Sequence, residues 1–96
     1  MRVIWRPIAK DDLAQIHAFI AKDDPSTAEA IVHRIIAASR LLEDHPGAGR
    51  AGRVSRTREL VVSGTPYILP YWQLSPSEVE ILAVIHGSMR WPADFP

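Results

Sequence analysis

The sequence predicts an α+β fold, in which a helix hairpin packs on one face of a mainly antiparallel sheet. Two observations predict this class. Apolar residues recur at helical spacing in two consecutive segments of the first half, and three strand-like segments separated by turn residues follow in the second half. The resulting order is βααβββ, and we expect it to form one domain over residues 1–96.

The first half predicts a short strand and two helices. The strand covers residues 3–5, and the first helix runs from Pro7 to about Lys22. Asp24 is predicted to cap a second helix that ends near Asp44, because it precedes a proline and a new helical apolar pattern. The short connection between the helices makes them an antiparallel hairpin.

Three strands are predicted in the second half, over residues 57–62, 67–74 and 79–86. Their connections are short and turn-like, which favours a meander. Pro70 interrupts the middle strand and predicts a bulge or a locally unpaired backbone there, because proline cannot donate to the ladder.

Strict alternation assigns the faces of these strands. In the last strand the helices should be met by Val79, Ile81, Ala83 and Ile85. The opposite face should carry Glu80, Leu82, Val84 and His86. If Arg58 and His86 both point away from the helices, the open face combines cations with exposed aliphatic side chains, which fits a surface that a partner covers.

Composition excludes several classes of function. There is no cysteine, so disulfides, thiolate catalysis and cysteine zinc sites are excluded, and the four histidines show no metal-ligand spacing. We therefore expect neither a metal nor a cofactor. The sequence shows no signal-peptide pattern and no apolar run of membrane length, which favours a cytoplasmic protein without membrane contact.

Charge is balanced overall but concentrated locally. Eleven basic and eleven acidic residues cancel. The stretch from residue 50 to residue 58, however, contains four arginines and no acid: Arg50, Arg53, Arg56 and Arg58. Arginine suits bidentate contact with phosphate or carboxylate, so this stretch predicts a site for an anionic partner.

Several segments together resemble the RelE/ParE superfamily of bacterial toxins. They are the βααβββ order, residues 42–50 at the end of the second helix, residues 52–60, the Thr65-Pro66-Tyr67 turn and residues 84–92. The resemblance covers the whole chain as one toxin domain. It implies a toxin of a type II toxin–antitoxin system, with roles in plasmid stabilization and growth inhibition.

The resemblance also implies a partner and leaves two targets open. A cognate antitoxin that folds on binding would silence the toxin in a hetero-oligomer. ParE-like members poison DNA gyrase without known catalytic residues, whereas RelE-like members cleave mRNA on the ribosome. The neutral net charge and the absence of lysine from the arginine-rich stretch favour the ParE-like mode. The RelE-like endoribonuclease remains the alternative, so it stays open whether the chain is an enzyme.

The charge pattern and the resemblance each identify candidate site residues. If the chain is a nuclease, the resemblance implies catalytic roles for Arg58, His86 and Arg90, with His86 as acid or base and no metal. Contacts with the antitoxin or the target are predicted for Arg50, Arg53, Arg56, Arg58, Leu60, Leu82, Val84 and Trp91.

Overall fold

In the computed structural model, which describes residues 1–88, two helices pack against a six-stranded, mostly antiparallel sheet. The predicted α+β class is confirmed. In chain order the elements are β1 (Arg2–Trp5), α1 (Pro7–Ala21), α2 (Pro25–Asp44), β2 (Arg50–Ala51), β3 (Arg58–Val61), β4 (Tyr67–Ser75), β5 (Glu78–Ile81) and β6 (Ile85–His86).

The helix hairpin forms as its sequence predicts. The Asp24 carboxylate accepts the Thr27 N–H at 3.1 Å and the Thr27 hydroxyl at 2.6 Å, which confirms the predicted cap of α2. These hydrogen bonds lower the pKa of Asp24, and the bond from the Thr27 side chain has the largest effect. Pro7 starts α1 without a side-chain cap, and α1 ends at Ala21, one residue before the predicted end.

The strands lie in the order β1-β5-β4-β3-β2, with β6 also beside β4. β1 runs parallel to β5, so the chain between them must cross over the sheet, and the two helices form this crossover. The buried core lies between helices and sheet and consists of Ala9, Ile35, Leu42, Leu60, Val62, Leu69, Tyr71, Val79, Ile81 and Val84.

A bulge lies opposite Pro70, as predicted. Tyr71 faces Ile81 and Ile68 faces Ile85, so three residues of the last strand oppose only two of β4. The Pro70 carbonyl accepts the Leu82 N–H at 2.9 Å, but proline has no N–H to return. The ladder breaks here, and the strand predicted over residues 79–86 becomes β5 and β6.

The bulge reverses the faces of the residues that follow it. His86 lies directly opposite Tyr67, which packs against the core, so His86 is on the helix face. Ile85 lies opposite Ile68 and is on the open face. The predicted faces of both residues are therefore wrong, because a one-residue shift in register turns every later side chain to the other side.

The open face also differs from the prediction in β3. Leu60 and Val62 belong to the core, and Arg58 lies opposite the core residue Tyr71, so Arg58 is on the helix face. The predicted exposure of aliphatic contact residues is wrong as well. Leu60, Leu82 and Val84 are 8%, 0% and 6% exposed.

Candidate functional site

A buried carboxylate organises the arginine loop, by which we mean residues 49–58. The Glu59 side chain is 2% exposed and accepts the Arg53 backbone N–H at 2.8 Å. Its carboxylate also pairs with the guanidinium groups of Arg50 at 3.2 Å and Arg53 at 3.6 Å. Two of the four predicted contact arginines therefore neutralise a charge inside the protein.

Glu59 is not among the predicted site residues, because it lies just beyond the acid-free arginine stretch. A signal was present, because Glu59 is the residue directly after Arg58 and the first acid after four arginines. A lone acid beside such a cluster is its natural counter-ion, although burial of that acid requires the loop to fold back over the strand.

Arg58 lies at the edge of the helix face and holds the start of the loop. Its guanidinium donates to the Gly49 carbonyl at 2.9 Å. The neighbouring Tyr71 hydroxyl donates to the Pro46 carbonyl at 2.7 Å and accepts the Gly49 N–H at 2.9 Å. Burial raises the pKa of the Tyr71 hydroxyl, against the opposing effects of the Gly49 N–H and the Arg58 charge.

Arg56 joins the loop to the open face of the sheet. Its backbone has φ 70°, the left-handed region, which for a non-glycine residue costs roughly 1–2 kcal/mol. Its guanidinium lies 5.9 Å from the Trp72 ring centroid, within cation–π range. Trp72 Nε1 donates to Glu80 at 2.8 Å, and Arg6 donates to the same carboxylate oxygen at 3.1 Å. This chain of contacts, from Arg56 through Trp72 and Glu80 to Arg6, holds Arg56 against the sheet.

His86 lies in a cleft of about 560 Å³ beside α1. The cleft is lined by Asp12, Gln15, Ile16, Phe19, Tyr67, Val84, His86 and Ser88. His86 Nδ1 accepts the Ser88 N–H at 3.1 Å, so the neutral ring carries its proton on Nε2. The ring also meets Tyr67 edge-on, with centroids 5.6 Å apart.

Asp12 connects α1 to the bulge. Its carboxylate accepts the Val84 N–H at 3.0 Å, a donor that the broken ladder leaves without a strand partner. Burial is the largest effect on the Asp12 carboxyl and raises its pKa; the Val84 bond opposes this and the nearby Asp11 charge adds to it. Asp12 therefore helps to hold the turn of chain that positions His86.

The predicted catalytic residues do not converge. Arg58 faces Tyr71 and His86 faces Tyr67, on opposite sides of β4. Their Cα atoms are therefore about 16 Å apart at standard strand spacings. The core residue Leu69 lies between them on the same face. Arg90 and Trp91, the remaining predicted site residues, lie outside the described residues.

Residues 1–88 contain no group of three or more histidine, aspartate or glutamate side chains that could hold a metal ion. None of the helices in this part of the chain is long and apolar enough to cross a membrane.

Comparison with known proteins identifies the family. Residues 3–91 match the family described as the ParE toxin of the type II toxin–antitoxin system, parDE. The chain belongs to the ParE toxin family. It is also 45% identical over 91 residues to the "Putative toxin Y4kP" of Sinorhizobium fredii, covering 95% of this chain and 93% of that protein.

The fold of this ParE-family toxin also matches a solved structure. That structure is described as the chromosomal ParDE TA system from P. aeruginosa, and its similarity covers 90% of this chain and 95% of the other. The TM-score is 0.78 at 26% sequence identity. The expected membership of the RelE/ParE superfamily is therefore confirmed, and the chain is a type II toxin–antitoxin toxin.

Proposed function

We propose that this toxin inhibits growth by binding DNA gyrase, and that a cognate antitoxin, folding as it binds, silences it. The observation that carries the choice of target is the separation of Arg58 from His86 across the core. Metal-free cleavage of RNA needs a proton-transfer group and a phosphate-binding cation at one phosphate. An inhibitor that acts by binding needs no such convergence.

The four arginines of the loop are not equally available for contact with a partner. Arg50 and Arg53 already share the Glu59 carboxylate, so a partner must compete with that ion pair. The Arg56 guanidinium lies 5.9 Å from the Trp72 ring centroid, and Arg58 is exposed while it donates to Gly49. We expect Arg56 and Arg58 to contribute most to contacts with acidic groups, and association to weaken as salt rises.

A ribosome-dependent endoribonuclease is the second candidate, and one feature favours it. His86 lies in a cleft with Asp12 and Ser88. Because its Nδ1 accepts the Ser88 N–H, its Nε2–H remains available to donate. An imidazole in such a cleft is a reasonable general acid. In this mode the phosphate-binding cation would have to come from outside the loop that holds Arg58.

Two measurements separate the candidates. The toxin is expressed without antitoxin, and DNA breaks and mRNA ends are mapped in the same cells. Purified gyrase is then assayed for supercoiling and DNA cleavage with added toxin. We expect gyrase inhibition and intact transcripts; codon-phased cuts in mRNA with normal gyrase activity would reject the proposal.

His86→Gln tests the same choice at residue level. Glutamine keeps a hydrogen-bonding side chain but cannot transfer a proton, and loss of a general acid lowers a rate by about 10²–10⁴. We expect the folded variant to remain toxic. Arg56→Gln is the matched comparison, because it removes a proposed contact and should weaken toxicity. A folded, non-toxic His86→Gln protein would favour the nuclease.

A further inference from the structure

The outer edge of β3 is only half covered. β2 pairs with β3 at Arg58 and Glu59 and goes no further. Backbone groups alternate in direction along a strand: Val62 N–H donates inward to Tyr67 of β4 at 3.1 Å, whereas the Thr57 carbonyl points outward to Gly52 at 2.8 Å. The Val61 N–H and C=O therefore point outward, where residues 1–88 provide no neighbouring strand.

Apolar side chains flank this open edge on both faces of the sheet. Val61, on the open face, is 49% exposed, and Leu41 of α2, on the helix face, is 54% exposed. Between them runs a groove of about 340 Å³, lined by Arg34, Ala37, Ala38, Leu41 and residues 60–63. Exposed edges are normally protected by charge, proline or a covering segment, and this one carries an exposed valine instead.

Charge distinguishes the possible occupants. The groove lining includes one charged residue, Arg34, whose guanidinium reaches the Ser63 carbonyl only at 3.5 Å. A second copy of this chain, pairing its own β3 edge about a two-fold axis near Val62, would bring two Arg34 side chains into one short interface. Two like charges close together repel, so this pairing is unfavourable. The groove therefore favours a segment of another protein that places a carboxylate beside Arg34.

We propose that the Val61 edge and the α2–β3 groove bind an extended segment of the antitoxin, which adds a strand beside β3 where β2 ends. One set of its alternating side chains packs on Leu41 and the other on Val61, and an acidic residue pairs with Arg34. This rests on the proposed function, in that the partner is the antitoxin. Strand addition uses the main chain for affinity and the side chains for specificity.

Val61→Pro tests the edge directly. It removes the outward N–H and leaves the bonds from β3 to β4 in place, since proline is tolerated in edge strands where its nitrogen faces solvent. Val61→Thr is the matched control, because threonine keeps the β-branched shape and the N–H. The probe is the protein encoded by the adjacent gene, co-expressed and titrated against each purified variant.

We expect Val61→Pro to weaken binding at least tenfold and Val61→Thr to change it less than threefold. Arg34→Gln should weaken binding and reduce its salt dependence. Hydrogen exchange on the unmodified complex is an independent readout that survives if Val61→Pro fails to fold: the Val61 amide should exchange rapidly in the free toxin and slowly in the complex.

Each contrary result has a distinct meaning. Unchanged exchange at Val61 in a tight complex, or a folded Val61→Pro protein that binds like the original, overturns the edge site and leaves the proposed function intact. A free toxin that sediments as a dimer and becomes monomeric as Val61→Pro assigns the edge to a second copy. Failure of the adjacent gene product to bind at all rejects the proposed partner and the site together.

Discussion

Replacing Glu59 by alanine tests whether a buried carboxylate shapes the arginine loop. The change removes the acceptor of the Arg53 backbone N–H, a bond of 2.8 Å, and the partner of Arg50 at 3.2 Å. It also leaves space beneath the loop, because the Glu59 side chain is 2% exposed.

The magnitude follows from the surroundings of each group. A hydrogen bond to a charged group contributes about 1.5–3 kcal/mol, and we assign this to the Arg53 N–H. The Arg50 side chain is 57% exposed, so its ion pair with Glu59 adds only about 0–1 kcal/mol. No buried charge is left behind, since both arginines reach water. We expect Glu59→Ala to lower the free energy of unfolding by about 1.5–4 kcal/mol.

Urea denaturation, followed by tryptophan fluorescence and by circular dichroism, measures this loss. Glu29→Ala is the control: Glu29 is also paired, with His17 at 3.0 Å, but its side chain is 64% exposed. That variant should change stability by less than about 0.5 kcal/mol. If Glu59→Ala is as stable as Glu29→Ala, the carboxylate does not hold the loop and our account of the arginines is wrong.

Three further predictions concern the neighbouring groups. Tyr71→Phe should lose about 1–3 kcal/mol in the same assay, because the buried Gly49 N–H loses its acceptor; an unchanged midpoint would contradict this. Burial raises the pKa of Asp12, so its stabilising contribution is present in acid and is lost as pH rises through that raised pKa; Asp12→Asn should flatten this part of a stability–pH curve. Trp72→Leu should weaken antitoxin binding by freeing Arg56, which calorimetry can measure, and equal affinity would show that the cation–π contact is irrelevant.

The sequence by itself determined the local structure. Spacing of apolar residues located both helices to within a residue or so, and Asp24 followed by proline specified the start of α2. Pro70 specified where the sheet ladder breaks, since the missing N–H is a property of the residue alone. The family was also accessible, because its motifs are read in order along the chain.

Only the tertiary structure decided which side chains share a surface. Alternation gives the relation between neighbours in one strand, but the strand opposite and its register depend on the whole sheet. The extra residue opposite Pro70 placed His86 on the helix face, against the prediction. Its separation from Arg58 has another cause, because the two residues pair with different positions of β4, Tyr67 and Tyr71, from opposite sides of that strand.

The same limit applies to charge. Counting residues gave an arginine stretch without an acid, whereas the loop folds back so that Arg50 and Arg53 share the buried Glu59. Pairing of charges depends on distances in space and on burial, which raises the strength of a contact by excluding water. A one-dimensional charge count contains neither quantity, so the available cations of this loop are set by how the chain folds over β3.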